Sequence, residues 1–192
     1  PHDIDIGNDL KGMMVFGLNS SGKSVLMKAV GLSVIMAQGG FYTPSEEFEF
    51  SPYNSIYTRI TGHDNIFKGL SSFALGMVEL NAIINRSNNK TLVLGDEVGR
   101  STEHISGNAI VASTLKTLSD ADATFIFSTH LHDLPEIDEI KSRDNIKPFH
   151  LSVSLDKKTD SLIYDRKLKE GSGERVYGVK VAKSIIQNAP FI

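Results

Sequence analysis

Continuous apolar runs alternate with longer amphipathic stretches over the first two thirds of the chain. Residues 13–16, 91–95 and 123–128 are apolar runs of strand length, typical of strands buried on both faces of a sheet. The stretches between them carry apolar residues at helical spacing, which predicts helices at residues 25–38, about 72–87 and about 106–118. We therefore predict an α/β fold in which helices flank a mostly parallel sheet.

The first predicted helix, at residues 25–38, is apolar on nearly all sides. We expect it to be buried against the sheet. Gly39 and Gly40 are expected to end it with a left-handed cap. Short strands are predicted next, at residues 48–50 and 55–60.

The pattern changes after Pro135. Two longer strands are predicted at residues 146–155 and 161–168, joined by a polar turn at residues 156–160. They predict a small antiparallel part beside the parallel sheet. A glycine-containing break follows at residues 171–173, and a short final helix is predicted at residues 179–187.

Length, charge and composition narrow the class of protein. The chain has 192 residues, which is typical of one domain with a sizeable core. A net charge of −3 gives no global basic footprint, so DNA contacts are expected only locally or through parts outside this chain. The absence of cysteine excludes disulfides and cysteine metal sites. No apolar run approaches membrane-spanning length and no signal-peptide pattern opens the chain, so we expect an intracellular protein without membrane contact.

Because the chain begins at Pro1, we expect it to be part of a longer protein.

Residues 17–24, GLNSSGKS, fit the phosphate-loop pattern G-x-x-x-x-G-K-[ST]. Glycines let the backbone curl so that successive N–H groups face phosphate oxygens, and the helix that follows adds its positive dipole end. Lys23 adds a charge that reaches the β- and γ-phosphates, and Ser24 offers a hydroxyl to Mg²⁺. An apolar strand before the loop and a helix after it support this interpretation over that of a plain glycine-serine turn.

Two acidic residues follow the apolar run at residues 91–95. Asp96 stands where a second Mg²⁺ ligand is expected, because Mg²⁺ prefers oxygen ligands. Glu97 is expected to face the γ-phosphate and to orient and deprotonate the attacking water. His130 follows another apolar run and is expected to sense the γ-phosphate, whereas His132 is expected to face elsewhere. Parallel strands place all their carboxyl ends at one edge, so these groups are expected to converge.

A second anion-friendly segment lies in the polar loop at residues 62–72. Gly69, Leu70, Ser71 and Ser72 precede a predicted helix, so Ser71 or Ser72 is a plausible N-cap. A plain cap and a phosphate-binding helix N-terminus both fit these residues.

Taken in order, these motifs resemble the ATPase domain of the MutS DNA mismatch-repair proteins, within the ABC-type ATPase superfamily. Residues 17–25 are similar to the family's G-P-N-M-G-G-K-S-T, residues 40–45 to G-x-[YF]-V-P-A, and residues 58–65 to T-R-[IV]-G-A-x-D-D. Further on, residues 69–79 are similar to G-x-S-T-F-x-x-E-M-x-E, residues 94–102 to L-x-D-E-[LI]-G-R-G-T, and residues 129–134 to T-H-[YF]-x-E-L. The ending at residues 171–182 also matches.

The resemblance implies an ABC-like P-loop NTPase fold with one domain over residues 1–192. It implies a Mg²⁺-dependent ATPase that pairs as a homodimer or heterodimer, with Ser71 reaching the γ-phosphate bound by the partner. DNA would be bound by domains outside this chain, and Arg166 falls near a position that borders the adenine. Asp96 and Ser24 would hold Mg²⁺, and Glu97 and His130 would act in catalysis. The implied ATP-binding residues are Gly17, Leu18, Asn19, Ser20, Ser21, Gly22, Lys23, Ser24, Val25 and Asp96.

Two departures from the family pattern stand out. Ser20 and Ser21 stand where the family's phosphate loop has Met and Gly, and Gly76 replaces the first glutamate of the 69–79 motif. The expected function is an ATPase that couples ATP binding and hydrolysis to mismatched-DNA binding. One alternative is a MutS-related ATPase that acts on recombination intermediates or other nucleic-acid structures without mismatch recognition. Others are a nucleotide-binding dimerisation module without hydrolysis, and a P-loop ATPase with an unrelated substrate.

Overall fold

The structure, a computed structural model, describes residues 2–18, 21–60, 72–99, 102–156 and 161–173, with the backbone alone at 72, 155–156 and 161–162. The strands are β1 (Gly12–Phe16), β2 (Ser55–Arg59), β3 (Thr91–Asp96), β4 (Thr124–Ser128), β5 (Ile146–Leu151), β6 (Ser154–Asp156), β7 (Ser161–Ile163) and β8 (Leu168–Glu170). The helices are α1 (Lys23–Gln38), α2 (Ser72–Arg86), α3 (His104–Asp120) and α4 (Asp138–Lys141), with a 3-10 turn at Leu134–Glu136.

Six of the strands in the described residues form the main sheet, in the order β2-β3-β4-β1-β5-β8. The first five are parallel to their neighbours, and β8 pairs antiparallel with β5. A separate antiparallel pair joins β6 to β7. The predicted mixed α/β fold with a mostly parallel sheet and a small antiparallel part is therefore confirmed.

Helices cover both faces of this sheet. Alternate residues of a strand point to opposite faces, so β1 sends Met13 and Val15 to one side and Met14 and Phe16 to the other. The first side packs against α1, and the second packs against α2 and α3. This arrangement leaves β1, β3 and β4 buried along their whole lengths, as their continuous apolar runs predicted.

Two phenylalanines of β4 lie over glycines of the neighbouring strands. Phe125 is in register with Gly12, and Phe127 is in register with Gly95. A Cβ on Gly95 would stand 2.8 Å from the Phe127 ring, and one on Gly12 would overlap the Phe125 ring. The two phenylalanine rings meet edge to face at 6.0 Å. The glycines therefore provide the space that lets large rings fill the centre of the sheet.

The outer side of α1 departs from expectation. The expected burial of α1 against the sheet is confirmed for one face of the helix, but the apolar Val25, Leu32 and Ile35 on its other side are 70%, 59% and 54% exposed. The helix packs on one face of the sheet, and within the described residues nothing covers its other side. Its end follows the prediction: Gly40 takes a left-handed backbone (φ 77°), and the Phe41 N–H donates to the Met36 carbonyl at 2.8 Å.

The remaining differences lie in the β regions. Residues 48–50 form no strand, and the rings of Phe48 and Phe50 instead pack against each other with their centroids 5.7 Å apart. The strand expected at residues 146–155 is divided into β5 and β6, and the one expected at residues 161–168 is divided into β7 and the start of β8. Arg166 has a left-handed backbone (φ 54°), which a strand does not accommodate.

Some predicted elements lie outside the described residues. These are most of the polar loop at residues 62–72 with the cap candidate Ser71, most of the turn at 156–160, and the final helix at 179–187. The other cap candidate, Ser72, is the first residue of α2. Among the described residues, no helix is both long and apolar enough to cross a membrane.

Candidate functional site

The loop at residues 17–24 joins β1 to α1, so the strand-loop-helix context expected for it is confirmed. Gly17 and Gly22 have φ angles of 151° and 106°, which side chains disfavour. At Gly17 a Cβ would also stand 2.8 Å from Ser21 Oγ. Asn19 and Ser20 lie outside the described residues. The glycines of the motif are thus needed for the shape of the loop.

Lys23 is the first residue of α1 and folds back over the loop. Its Nζ donates to the carbonyls of Gly17 at 2.7 Å and Leu18 at 3.0 Å, and the residue is 5% exposed. The ammonium therefore sits inside the curl of the loop, beside the positive end of the α1 dipole. This combination of a cation and a helix N-terminus favours an anion.

Ser24 connects the loop to the carboxyl end of β3. Its Oγ donates to Asp96 Oδ2 at 2.6 Å, and Asp96 is 4% exposed. A hydroxyl and a carboxylate in contact form the kind of oxygen pair that Mg²⁺ accepts, with water and phosphate oxygens completing its shell. The two residues predicted as Mg²⁺ ligands are brought together, so their positions fit such an ion.

Glu97 follows directly in a left-handed conformation (φ 48°), uncommon for a residue with a side chain. Its N–H is within 3.1 Å of both the carbonyl and the hydroxyl of Ser128 at the end of β4. The Ser128 hydroxyl in turn donates to Asp96 Oδ1. Sequence reasoning missed Ser128, because a polar residue at the end of an apolar strand was visible in the sequence but its register with Asp96 is visible only in the structure.

An open cavity of about 520 Å³ lies beside this cluster, and neither Asp96 nor Ser128 is part of its wall. Ser21 to Leu26 and Ala29 form one wall, and Glu97 borders it. Three residues from distant parts of the chain complete the lining: His2, Leu151 and Arg166. Arg166 was the position expected to border a base, whereas His2 and Leu151 were missed. Their approach depends on the chain start and on the bend at Ser152, whose carbonyl accepts the Arg166 N–H at 3.1 Å.

The two histidines after β4 have different surroundings. His132 stacks on Phe16 with a centroid distance of 5.1 Å, which confirms that it faces away from the loop. His130 is exposed and is not part of the cavity wall. Thr129, which lies between the end of β4 and the two histidines, is buried, and its N–H donates to the Val15 carbonyl at 3.1 Å. The role expected for His130 therefore stays a prediction, as does that of Ser71, which lies outside the described residues.

The structure explains why position 76 in α2 is occupied by glycine. A Cβ there would stand 2.9 Å from the guanidinium of Arg59. Arg59 Nε pairs with Glu79 at 2.8 Å, one turn further along the helix. The missing side chain gives the arginine room to lie across α2 and reach its partner.

A second polar cluster lies at the other end of the sheet, where α3 ends before β4 begins. Hydrogen bonds from Lys116 and then Arg143 hold the pKa of Asp120 below its ordinary value. The buried Ser119 hydroxyl donates to Asn145 Oδ1 at 3.0 Å and accepts from Arg143 at 2.9 Å. These contacts tie α3 to the segment before β5 and do not touch the cavity.

Fold and site together define an α/β domain with a cation-lined loop and an acidic strand end at one edge of a parallel sheet. A family model described as MutS domain V matches residues 13–191. The chain belongs to this family.

Several curated proteins are similar along nearly the whole chain. A mutS homolog of Acanthamoeba polyphaga mimivirus is 53% identical over 97% of the chain and 17% of its own length. A mitochondrial DNA mismatch repair protein mutS homolog of Sarcophyton glaucum is 40% identical over 99% of the chain and 19% of its length. The DNA mismatch repair protein MutS of Myxococcus xanthus is 34% identical over 95% of the chain and 20% of its length. The chain thus spans 17–20% of the length of these relatives.

Proposed function

We propose that this chain is the ATP-binding and ATP-hydrolysing domain of a MutS-like DNA mismatch-repair protein. Residues 1–192 form a single domain with an ABC-type P-loop NTPase fold. The observation that carries the proposal is the 2.6 Å hydrogen bond between Ser24 and Asp96, which joins the loop to the acidic strand end. Triphosphate chemistry needs a cation-rich cradle and a Mg²⁺-binding carboxylate side by side, and this contact supports their pairing.

The loop and the start of α1 bind the phosphates in this proposal. Backbone N–H groups of the loop would donate to phosphate oxygens, and Lys23 Nζ, held at the loop carbonyls, would balance their charge. Ser24 and Asp96 hold Mg²⁺, which when bound neutralises charge on the β- and γ-phosphates. His2, Leu151 and Arg166 lie at the cavity wall that would border the nucleoside.

Glu97 orients the attacking water and accepts its proton. The water oxygen forms a bond to the γ-phosphorus while the bond to the β,γ-bridging oxygen breaks, giving ADP and phosphate. The position of Glu97 at the cavity edge, one residue after Asp96, supports this role. His130 contacts the γ-phosphate in the nucleotide-bound dimer.

Two copies of the domain, in a homodimer or heterodimer, complete each other's sites. Ser71 of one copy reaches the γ-phosphate bound by the other, and ATP binding closes the dimer. The names of the relatives support a role in mismatch repair, with DNA bound by domains outside this chain. The protein acts inside the cell, without membrane contact. A MutS-related ATPase that acts on recombination intermediates or other nucleic-acid structures is the alternative.

The test is ATP turnover per chain measured against chain concentration. We expect turnover to rise with concentration and to level off when the chains are paired, because an isolated copy lacks the partner's Ser71. Lys23→Ala is the matched control, and it should bind no fluorescent ATP analogue at concentrations that saturate the unaltered chain. Equal turnover at all concentrations by a proven monomer would contradict the dimer. Unchanged affinity in Lys23→Ala would contradict the whole site.

A further inference from the structure

Ser128 lies between the two acidic residues of the candidate site. It is 1% exposed, ends β4, and stands in register with Asp96 on β3. Its hydroxyl donates to Asp96 Oδ1 and accepts the Glu97 N–H at 3.1 Å, while its carbonyl accepts the same N–H at 3.1 Å. A single buried side chain therefore contacts both acids.

We propose that Ser128 is a positioning residue that sets the orientation of the Asp96 carboxylate and the backbone conformation of Glu97. The inference rests on the proposed ATPase function, since it assigns Ser128 a part in Mg²⁺ binding and water activation. Ser128 acts through its two neighbours and is not itself a catalytic residue.

The argument for Asp96 concerns its two oxygens. Oδ1 accepts from Ser128, so Oδ2 points to Ser24 and accepts from it at 2.6 Å. A carboxylate that is 4% exposed depends on such donors, because an unpaired buried oxygen loses its hydration. Without the Ser128 hydroxyl, Oδ1 has lost a donor, and the carboxylate is free to turn away from Ser24. The Asp96 carboxylate would then be a less ordered ligand for Mg²⁺.

The argument for Glu97 concerns its backbone. A left-handed φ of 48° persists in a glutamate only where neighbouring groups hold it. The Glu97 N–H has two acceptors, both on Ser128. If the Ser128 hydroxyl is removed, only the Ser128 carbonyl of these two acceptors remains for the Glu97 N–H. The turn that orients the Glu97 side chain is then less firmly held. The water-activating carboxylate would then spend less time in its productive position.

The test compares Ser128→Ala with the unaltered chain at concentrations where turnover has levelled off. We expect kcat to fall about tenfold, and the Mg²⁺ concentration for half-maximal nucleotide binding to rise about tenfold, the scale of one hydrogen bond to a charged group. Affinity for a fluorescent ATP analogue without Mg²⁺ should stay within about twofold, because the loop and Lys23 are untouched. A structural defect alone would not separate these readouts.

Three further variants sharpen the test. Ser119→Ala also removes a buried hydroxyl with two partners, but at the opposite end of the sheet. The Mg²⁺ concentration for half-maximal nucleotide binding by this variant should therefore equal that of the unaltered chain. Ser128→Thr retains the hydroxyl and should recover most of the Mg²⁺ response. Ser128→Cys keeps a side chain of similar size with a weaker hydrogen-bond donor, so its kcat and Mg²⁺ response should resemble those of Ser128→Ala. It replaces Ser128→Ala in the test if the alanine variant does not fold.

The outcomes distinguish this inference from the function on which it rests. Unchanged kcat and Mg²⁺ dependence in Ser128→Ala, in a chain that hydrolyses ATP, would overturn the inference alone. Equal loss of affinity with and without Mg²⁺ would also overturn it, because the loop would then be disturbed. If the unaltered chain binds nucleotide without hydrolysing it, the ATPase proposal fails and the Mg²⁺ readout still decides the part concerning Asp96. Failure of the unaltered chain to bind nucleotide would overturn both.

Discussion

The Ser24 hydroxyl donates to Asp96 Oδ2 at 2.6 Å, although the two residues are 72 positions apart in the chain. The contact joins the first turn of α1 to the end of β3, across the carboxyl edge of the sheet. It exists because β3 reaches this edge through the parallel ladder that links β3 to β1 by way of β4. Two motifs that are separate in sequence thus form one site.

Glu97→Gln should bind ATP and scarcely hydrolyse it. The amide keeps the size and polarity of the side chain but is not a base, so a loss of about 10²–10⁴-fold in kcat is expected. Single-turnover hydrolysis and binding of a fluorescent ATP analogue measure the two effects separately. Glu139→Gln is the matched control, since Glu139 is exposed in the first turn of α4, and its turnover should equal that of the unaltered chain. Normal hydrolysis in Glu97→Gln would remove Glu97 from the mechanism.

Sequence alone predicts what depends on local pattern. The loop at residues 17–24 has its chemistry in adjacent residues, and the apolar runs before it and before Asp96 identify their strands. Ser128 was missed because its importance arises from strand register, and His2 because it approaches Leu151 and Arg166 only in the folded chain. The exposure of Leu32 on α1 was not predictable for a related reason, since an apolar side chain in a helix gives no information about which surface, if any, covers it.

Ser21→Ala should stabilise the domain. Ser21 is 1% exposed, and its Oγ has no hydrogen-bond partner within the described part of the chain. A buried hydroxyl without a partner costs about 1–3 kcal/mol, and alanine removes it with little change of shape. We expect the free energy of unfolding in urea, measured without nucleotide, to rise by about 1 kcal/mol.

Ser119→Ala is the control for that measurement. Its hydroxyl is also buried but has two partners, Asn145 and Arg143. Its removal should lower the free energy of unfolding by about 1 kcal/mol or more, because both partners lose a hydrogen bond. A Ser21→Ala chain that is also less stable than the unaltered one would show that the Ser21 hydroxyl has a stabilising contact.

Gly95→Ala should destabilise the domain, even though alanine lowers the backbone entropy of the unfolded chain. That entropic gain is about 0.5–1 kcal/mol. The new Cβ would stand 2.8 Å from the ring of Phe127, which is 1% exposed and has no space into which to move. Overpacking of this kind costs about 1–3 kcal/mol, so the clash outweighs the entropy. Urea unfolding at constant m-value measures the loss.

A double-mutant cycle with Phe127→Leu tests whether the clash is the cause. Leucine is smaller than phenylalanine and vacates the volume that the Cβ would enter, so Gly95→Ala should cost much less in the Phe127→Leu background. We expect a coupling of about 1 kcal/mol or more between the two changes, since they are direct neighbours on paired strands. Additive effects would mean that Gly95→Ala acts through the β3 backbone and the placement of Asp96. In that case the loss of stability should be accompanied by weaker Mg²⁺-dependent nucleotide binding.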